Sequence, residues 1–306
     1  MIEQKTTIDW LRFRTQAEPR EVLETLKPVF PKHAQFFNLK HQQKGLMGFK
    51  QGALICADDF VIGRMDYGGE SQKGWVRVDI PGKGCQWMDL AAIGVVEDLA
   101  SSQLRRLDIA LTTWKGQIGH DQVLAAHEQG RFTTRGRPPN LQQILNSDGG
   151  RTCNIGKREK SDKFMRCYEK GFEMASKSRG LPGELTHIDG HKIEDIYRCE
   201  VELKAVNQDI PWEVVERRDQ YFVGAYPFCA DVLPGIESDI LKRRPEREAQ
   251  TSLAIALENC RVQFGPTLYT ALMAYQGDMT AVWDKVVGSN HSQALLEAGV
   301  LLVEHE

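Results

Sequence analysis

Apolar and polar residues alternate along several short segments of the chain, a pattern typical of strands that bury one face of a sheet. The clearest examples are Arg105–Leu111, Lys163–Glu169 and Tyr197–Ala205. Weaker alternation predicts further strands at Ile8–Thr15, Leu54–Cys56, Phe60–Gly63, Trp75–Ile80 and Thr152–Gly156, the last forming a hairpin pair with Lys163–Glu169.

Other segments carry apolar residues at helical spacing. Pro19 opens one such helix, and Asp89 is a plausible N-cap for another that extends to about Ser101. Shorter helices are expected at Asp121–Gln129, within Pro211–Val223, and within 173–195, where a polar loop follows. Residues 130–150 are rich in Arg, Gly, Pro and Asn, and predict a flexible loop.

The pattern changes near residue 235 and stays helical to about 288, with expected breaks at Gly265-Pro266 and Gly277-Asp278. We therefore predict an α+β protein with a largely antiparallel sheet and flanking helices in residues 1–235. Residues 236–306 are predicted to form a small helical C-terminal region.

Composition narrows the class of protein. Hydrophobic residues make up 41% of the 306 residues and charged residues 26%, as in soluble globular proteins. No apolar run is long enough to cross a bilayer, and Met1–Lys5 lacks the apolar core of a signal peptide, so we expect a cytoplasmic protein without a membrane partner. Seven cysteines without a CxxC pair argue against a disulfide framework and a zinc ribbon.

Charge is distributed unevenly along the chain. The net charge is −3, but residues 131–170 contain ten lysines and arginines against four acids. Such a basic stripe suits a phosphate backbone, although a solvated basic surface would give the same pattern. The candidate DNA-binding residues are Arg131, Arg135, Arg137, Arg151, Lys157, Arg158, Lys160 and Lys163.

Three strands each combine an apolar face with a face of ionisable groups, because side chains alternate between the faces of a strand. If the strands are neighbours, their polar faces bring acids, a phenol and cations to one patch. Charged faces are common in antiparallel sheets, so each strand alone is weak evidence. The polar faces carry Arg106 and Asp108, then Arg166, Tyr168 and Lys170, then Arg198, Glu200, Glu202 and Lys204.

This combination of side chains suits transesterification of a phosphodiester. Carboxylates can hold Mg²⁺ or Mn²⁺, which polarise and orient a phosphate. A tyrosine hydroxyl with a pKa of about 10 needs a nearby cation or metal to act as a nucleophile. Tyr168 is the candidate nucleophile, Lys170 the candidate activating cation, and Arg166 a candidate phosphate ligand.

An ordered set of segments resembles the replication initiation factors of filamentous phages and certain rolling-circle plasmids. The set spans roughly residues 8–205, and it is the order, rather than any one piece, that is specific. Its members are Ile8–Leu11, Pro81–Cys85, Arg106–Ala110, Gly150–Arg158, Ser161–Gly171 and Arg198–Lys204.

The resemblance implies a divalent-metal nickase that starts replication at a double-stranded origin through a 5′-phosphotyrosine link at Tyr168. It maps the metal carboxylates to Asp108 and Glu200, with Glu202 possible. The lysine stands one place closer to the tyrosine than in the looser family pattern. Further acids after the first metal strand are replaced here by Thr112-Thr113-Trp114.

The partners implied are origin DNA, its nicked single strand, a host helicase and a second copy of the chain. Two other functions stay open, a non-catalytic DNA-binding regulator and a relaxase- or transposase-like strand-transfer enzyme of a mobile element. Tyr197 is the best substitute nucleophile. We expect the basic loop at 130–163 to contact DNA, and the C-terminal helices to aid recognition or dimer contact.

Overall fold

The computed structural model describes residues 5–134, 136–146, 149–159, 161–177, 185–242 and 244–305, without the side chains of 246–248. Two of the expected DNA-binding residues, Arg135 and Lys160, lie outside the described residues. The chain forms two compact units that divide between Leu241 and Lys242. The functional division expected after residue 235 stays a prediction.

Ten of the described strands form one antiparallel sheet, in the spatial order β2-β3-β4-β5-β1-β6-β12-β9-β8-β7. Strands β10 and β11 pair separately as a short hairpin. The bounds are β1 Thr7–Thr15, β2 Phe37–Gln42, β3 Gln51–Ala57, β4 Phe60–Tyr67, β5 Val76–Pro81, β6 Gln103–Thr113, β7 Leu141–Leu145, β8 Arg151–Ile155, β9 Lys163–Tyr168, β10 His187–Ile188, β11 His191–Lys192 and β12 Tyr197–Lys204.

The helices of the first unit flank this sheet, and the predicted α+β class is confirmed. Their bounds are α1 Pro19–Leu26, α2 Gly82–Cys85, α3 Gly94–Glu97, α4 His120–Glu128, α5 Lys170–Lys177, α6 Arg218–Ala225 and α7 Pro227–Val232. The second unit contains α8 Pro245–Ala274, α9 Met279–Val286 and α10 Gln293–Glu297. Among the described residues, no helix is both long and apolar enough to span a membrane.

The core lies on one face of the sheet, and this leaves the other face to the polar residues. Leu107, Ile109 and Val201 point into the core and are fully buried together with Val123 of α4 and Phe222 of α6. Each such aliphatic side chain contributes on the order of 1.5–3 kcal/mol when it leaves water. The strand period then forces the even-numbered residues of β6 and β12 to the opposite face.

Three local predictions are wrong. The continuous helix expected from Asp89 to Ser101 is instead a 3₁₀ turn, Leu90–Ala92, followed by the single turn α3. Asp89 does cap the 3₁₀ turn, because its carboxylate accepts a hydrogen bond from the Ala91 N–H at 3.1 Å. The loop expected at 130–150 contains β7, which adds an edge strand to β8. Gln142 and Gln143 interrupt the alternation of apolar and polar residues that predicts a strand. An edge strand such as β7 accepts these exposed residues because it need not be apolar on both faces.

The third wrong prediction concerns Pro266, which does not end its helix. Helix α8 continues through this residue to Ala274. A proline removes one backbone hydrogen bond but leaves the following turns intact, and the Thr270 hydroxyl donates to the Pro266 carbonyl at 2.9 Å. The break expected at Gly277-Asp278 is confirmed, since Asp278 caps α9 through the Ala281 N–H at 3.0 Å.

Candidate active site

The three strands with ionisable faces are neighbours, because β12 lies between β6 and β9. Their registers place Glu202 opposite Asp108 on β6, and Arg198 opposite Tyr168 on β9. Glu200 lies opposite Arg166 and is therefore the diagonal neighbour of Tyr168 on the same face. The register thus brings the phenol, the carboxylates and the arginines to one surface.

Arginines hold all three expected carboxylates. Asp108, Glu200 and Glu202 are each less than 5% exposed. The Arg106 guanidinium grips Asp108 with two hydrogen bonds of 2.7 and 2.5 Å, and it also lies 3.0 Å from Glu202. One Arg166 nitrogen, Nη2, lies 2.9 Å from both oxygens of Glu200. Buried charges require such pairing.

A further arginine completes the network. Arg158 donates from Nε to Glu202 at 2.9 Å, reaching it from the loop between β8 and β9. Burial opposes ionisation of Glu202, but the charges of Arg106 and Arg158 outweigh burial and lower the pKa of this carboxyl group. Burial dominates at Asp108, whose pKa rises to about 7 despite its contact with Arg106. The two acids facing each other across β6 and β12 therefore differ in their readiness to carry a proton.

Tyr168 ends β9 and is only 7% exposed. The Lys170 ammonium lies 3.4 Å from its hydroxyl oxygen, and the Arg166 guanidinium lies 4.9 Å from its ring centre. Lys170 was expected on the same strand, but it is the first residue of α5, because β9 stops at Tyr168. The lysine reaches the phenol from the helix and is fixed there by Glu173 at 2.6 Å.

The resting phenol is protonated at neutral pH. Burial, followed by the negative charge of Glu200, raises the pKa of Tyr168 above its ordinary value. Burial, followed by the charge of Arg198, lowers the pKa of Lys170. A nucleophilic role for Tyr168 would therefore require that the phenol lose its proton as a substrate binds.

Asp9 is a site residue that the sequence patterns did not single out. A register shift between Ile8 and Trp10 lets Asp9 reach Arg198, whose Nη1 lies 2.7 Å from the carboxylate. The Nε of Arg198 donates to the Thr112 hydroxyl at 2.8 Å. The segment Ile8–Leu11 was part of the family resemblance, and this was the signal that could have identified Asp9.

The arrangement does not fit a resident divalent cation. Arginines contact oxygens of all four carboxylates, Asp9, Asp108, Glu200 and Glu202, and the Lys204 ammonium lies 3.3 Å from the other oxygen of Glu202. Among the residues that the structure describes, no group of three histidine, cysteine or acidic side chains could hold a metal ion. An ion at the expected ligands must displace arginines from buried carboxylates, which is costly.

An open cleft of about 1430 Å³ runs past Tyr168 over strands β7, β8 and β9. Its walls include Arg166 and three of the expected DNA-binding residues, Arg151, Lys157 and Arg158. Arg151 is held by Glu169 at 2.8 Å, whereas Lys157 is exposed. The Tyr168 phenol is part of the wall of this cleft.

The remaining expected DNA-binding residues that the structure describes do not line this cleft. Arg131 pairs with Asp231 on the surface, and Arg137 is exposed. Lys163 belongs to the core side of β9, where its ammonium donates to the Ala225 carbonyl at 2.5 Å and lies 4.4 Å from the Tyr226 ring.

Tyr197, the expected substitute nucleophile, also belongs to the core side. Its side chain is 1% exposed, and its hydroxyl lies 3.4 Å from Nδ1 of His120. The period of β12 places Tyr197 on the face opposite Arg198, Glu200 and the open cleft. The geometry therefore favours Tyr168 over Tyr197 as the group that can meet a phosphate.

Comparisons with known proteins agree with this fold. A family model described as "Replication initiation factor" matches residues 102–255, half of the chain. A solved rolling-circle replication initiator protein from Geobacillus stearothermophilus is similar in fold, with a TM-score of 0.50 and 20% identity over 70% of this chain and 78% of that one. No curated protein matches the chain. The family match includes β6, β9 and β12, so it spans the three strands of the site.

Proposed function

The chain belongs to the replication initiation factor family, and on that premise we propose that it initiates rolling-circle replication by nicking one DNA strand with Tyr168. The proposal is supported most directly by the position of this phenol, in the wall of an open cleft and between Arg166 and Lys170. A protein that only binds DNA has no need of a buried phenol between two cations.

In the proposed reaction, the Tyr168 hydroxyl oxygen attacks the scissile phosphorus. A phosphotyrosine bond forms to the 5′ side of the break as the bond to the 3′ oxygen breaks. The phenol gives up its proton, and the departing 3′ oxygen takes one, so the strand ends in a 3′ hydroxyl. One phosphodiester replaces another, so the reverse reaction rejoins a strand without a separate energy source.

Arg166 is the residue best placed to hold the scissile phosphate. Its Nη2 is committed to Glu200, but its buried Nε has no hydrogen-bond partner among the described residues. The rest of the Arg166 side chain lines the cleft and is 36% exposed, so its guanidinium can meet a phosphate oxygen there. Glu200 then acts by fixing the guanidinium plane beside Tyr168.

Lys170 stabilises negative charge on the phenol as it forms, because a cation within hydrogen-bonding distance favours the phenolate. Lys157 and Arg158 line the path of the strand through the cleft. We assign no step to Mg²⁺ or Mn²⁺, since the expected ligands do not fit the ion as arranged. Cytoplasmic location, a helicase partner and a homodimer stay predictions.

The test is cleavage of DNA by wild-type protein, Tyr168→Phe and Tyr197→Phe. Substrates are supercoiled plasmids and end-labelled single strands carrying inverted repeats found beside the gene, with Mg²⁺, Mn²⁺ or EDTA present. We expect nicking and a covalent protein–DNA band from wild type and Tyr197→Phe, and neither from Tyr168→Phe. Equal cutting by Tyr168→Phe contradicts the nucleophile assignment, and origin binding without cutting by any form favours a regulator.

A further inference from the structure

A second pocket lies at the other end of the strands that carry the active site. It is an open depression of about 330 Å³ formed where β1 and β12 end and where β5 and β6 begin. It is separate from the cleft around Tyr168, because the two have no lining residue in common. The proposed reaction gives it no role.

The lining of this pocket is strongly basic. It contains no acidic residue among those described, and its six cationic residues are Arg12, Arg14, Arg77, Arg105, Arg106 and Lys204. Buried acids pair with two of these arginines, since Asp79 contacts Arg12 and Asp66 contacts Arg77. The acids are closed to solvent, whereas the side chains of Arg12 and Arg77 remain 26% and 14% exposed. The charge that is accessible at the opening is therefore positive.

Aromatic and apolar side chains complete the pocket. Trp75 is half-buried, and the Arg14 guanidinium lies 4.0 Å from its ring centre. Met47, 73% exposed, lies at the rim, and Phe49 forms part of the wall. An indole ring bordered by arginines is the combination that binds a nucleotide, with the base on the ring and the phosphate on the cations.

The pocket is aligned with the active site. Arg198 lies opposite Tyr168, and Lys204 lies six residues further along β12 at the pocket. At about 3.3 Å per residue, Lys204 lies about 20 Å from Arg198 along β12, and Trp75 lies further away, three strands across the sheet and just before β5. Arg106 joins the two sites, since it pairs with Asp108 and also lines the pocket.

We propose that this pocket binds a nucleotide of single-stranded DNA several positions from the scissile phosphate, with the base stacking on Trp75 opposite the Arg14 guanidinium and Arg105 contacting the phosphate. The nature of the ligand rests on the proposed function, but the pocket does not depend on Tyr168 being the nucleophile. The protein then holds one DNA strand at two points, and the spacing between these points sets which phosphate lies beside Tyr168.

The test measures the affinity of full-length protein for fluorescent (dT)20 and for a 20-base-pair duplex by anisotropy, in a Tyr168→Phe background so that no strand is cut. We expect Trp75→Leu to weaken (dT)20 binding about tenfold, as the loss of one stacked base does. Trp75→Phe should restore most of it. Arg105→Gln should reduce the steepness of the salt dependence by about 0.7, the value for one phosphate on a single strand.

Two control variants remove similar side chains elsewhere. Trp87→Leu deletes a half-buried indole that stacks on His33 at 4.4 Å, and Arg20→Gln deletes an exposed arginine of α1. Both should bind (dT)20 as the parent does. Circular dichroism checks folding, and Arg105→Gln carries the test if Trp75→Leu does not fold.

The two proposals fail separately. If wild type nicks DNA but Trp75→Leu and Arg105→Gln bind (dT)20 like the parent, the pocket proposal is overturned and the nicking proposal stands. If no form nicks but these variants lose (dT)20 binding, the pocket stands without the nicking. Loss of duplex binding alone, or no (dT)20 binding by the parent, overturns the pocket.

Discussion

Two networks of buried acids and arginines occupy the same face of the sheet, one on β4, β5 and β1 and the other on β6, β12 and β9. In the first, Asp66 is fully buried and is held by Arg64 at 2.8 Å and Arg77 at 3.2 Å. In the second, arginines hold Asp108, Glu200 and Glu202 in the same manner. Judged by charge and burial alone, the networks are alike.

They differ in what adjoins them. The second network has a phenol between two cations in the wall of a cleft, and a buried arginine Nε without a described partner. The first has no tyrosine or lysine in its ion pairs among the described residues, and its arginines border the smaller basic pocket. Paired buried charges are thus common to both networks, and the phenol distinguishes the part of the face where we propose the reaction.

The largest effect is expected from breaking the first network. Asp66→Ala leaves Arg64 without its buried acid and leaves Arg77 with Asp79 alone, so it should reduce the free energy of unfolding by about 3–5 kcal/mol. Urea denaturation measures this. The control is Asp59→Ala, which removes an exposed pair with Lys40 and should cost about 0–1 kcal/mol. Equal stability losses for the two variants contradict a structural role for the first network.

Breaking the second network should instead reduce the nicking rate. Glu200→Gln loosens Arg166 beside Tyr168, and misplacement of a phosphate ligand costs about 100-fold in rate. Single-turnover cleavage of an end-labelled strand measures it. Glu213→Gln, which alters a carboxylate that accepts from Tyr221 at 2.6 Å, is the matched control. If Glu200→Gln nicks at the wild-type rate, the Glu200 carboxylate is not required to position Arg166.

A smaller effect on rate is expected at Lys170. Lys170→Met removes the cation 3.4 Å from the phenol, so nicking should fall about tenfold. Its pH–rate profile should also move to higher pH, because the pKa of Tyr168 rises further when the cation is lost. Lys170→Arg should recover part of the rate. An unchanged profile for Lys170→Met removes this lysine from the activation of Tyr168.

The smallest effect concerns Glu173, which holds Lys170. Burial opposes its ionisation, but Lys170 and Lys177 outweigh burial and lower the pKa of Glu173 to about 2. Its stabilising contribution is therefore complete above about pH 4.5 and is lost as the pH falls towards 2. Since the side chain is a third exposed, we expect about 1 kcal/mol from this group. We expect the free energy of unfolding, measured by urea denaturation, to fall less between pH 6 and pH 3 in Glu173→Gln than in wild type.

Much of the sheet was predictable because its strands bury one face. The alternation in Arg105–Leu111 and Tyr197–Ala205 located β6 and β12, and it assigned Asp108, Glu200 and Glu202 to the polar side. Strand β7 escaped prediction since an edge strand needs no apolar period. The helix expected after Asp89 and the break expected at Pro266 failed because tertiary contacts and intact neighbouring turns outweigh local propensity.

The sequence by itself determined which side chains share a face, since the two-residue period of a strand leaves no choice, and its ordered segments indicated the family. Only the tertiary structure decided which strands are neighbours. It also decided that Asp9 contacts Arg198 through a register shift, and that arginines pair with the carboxylates expected to bind metal. Pairing order and register depend on contacts between residues as distant as Asp9 and Arg198, and no local pattern records such contacts.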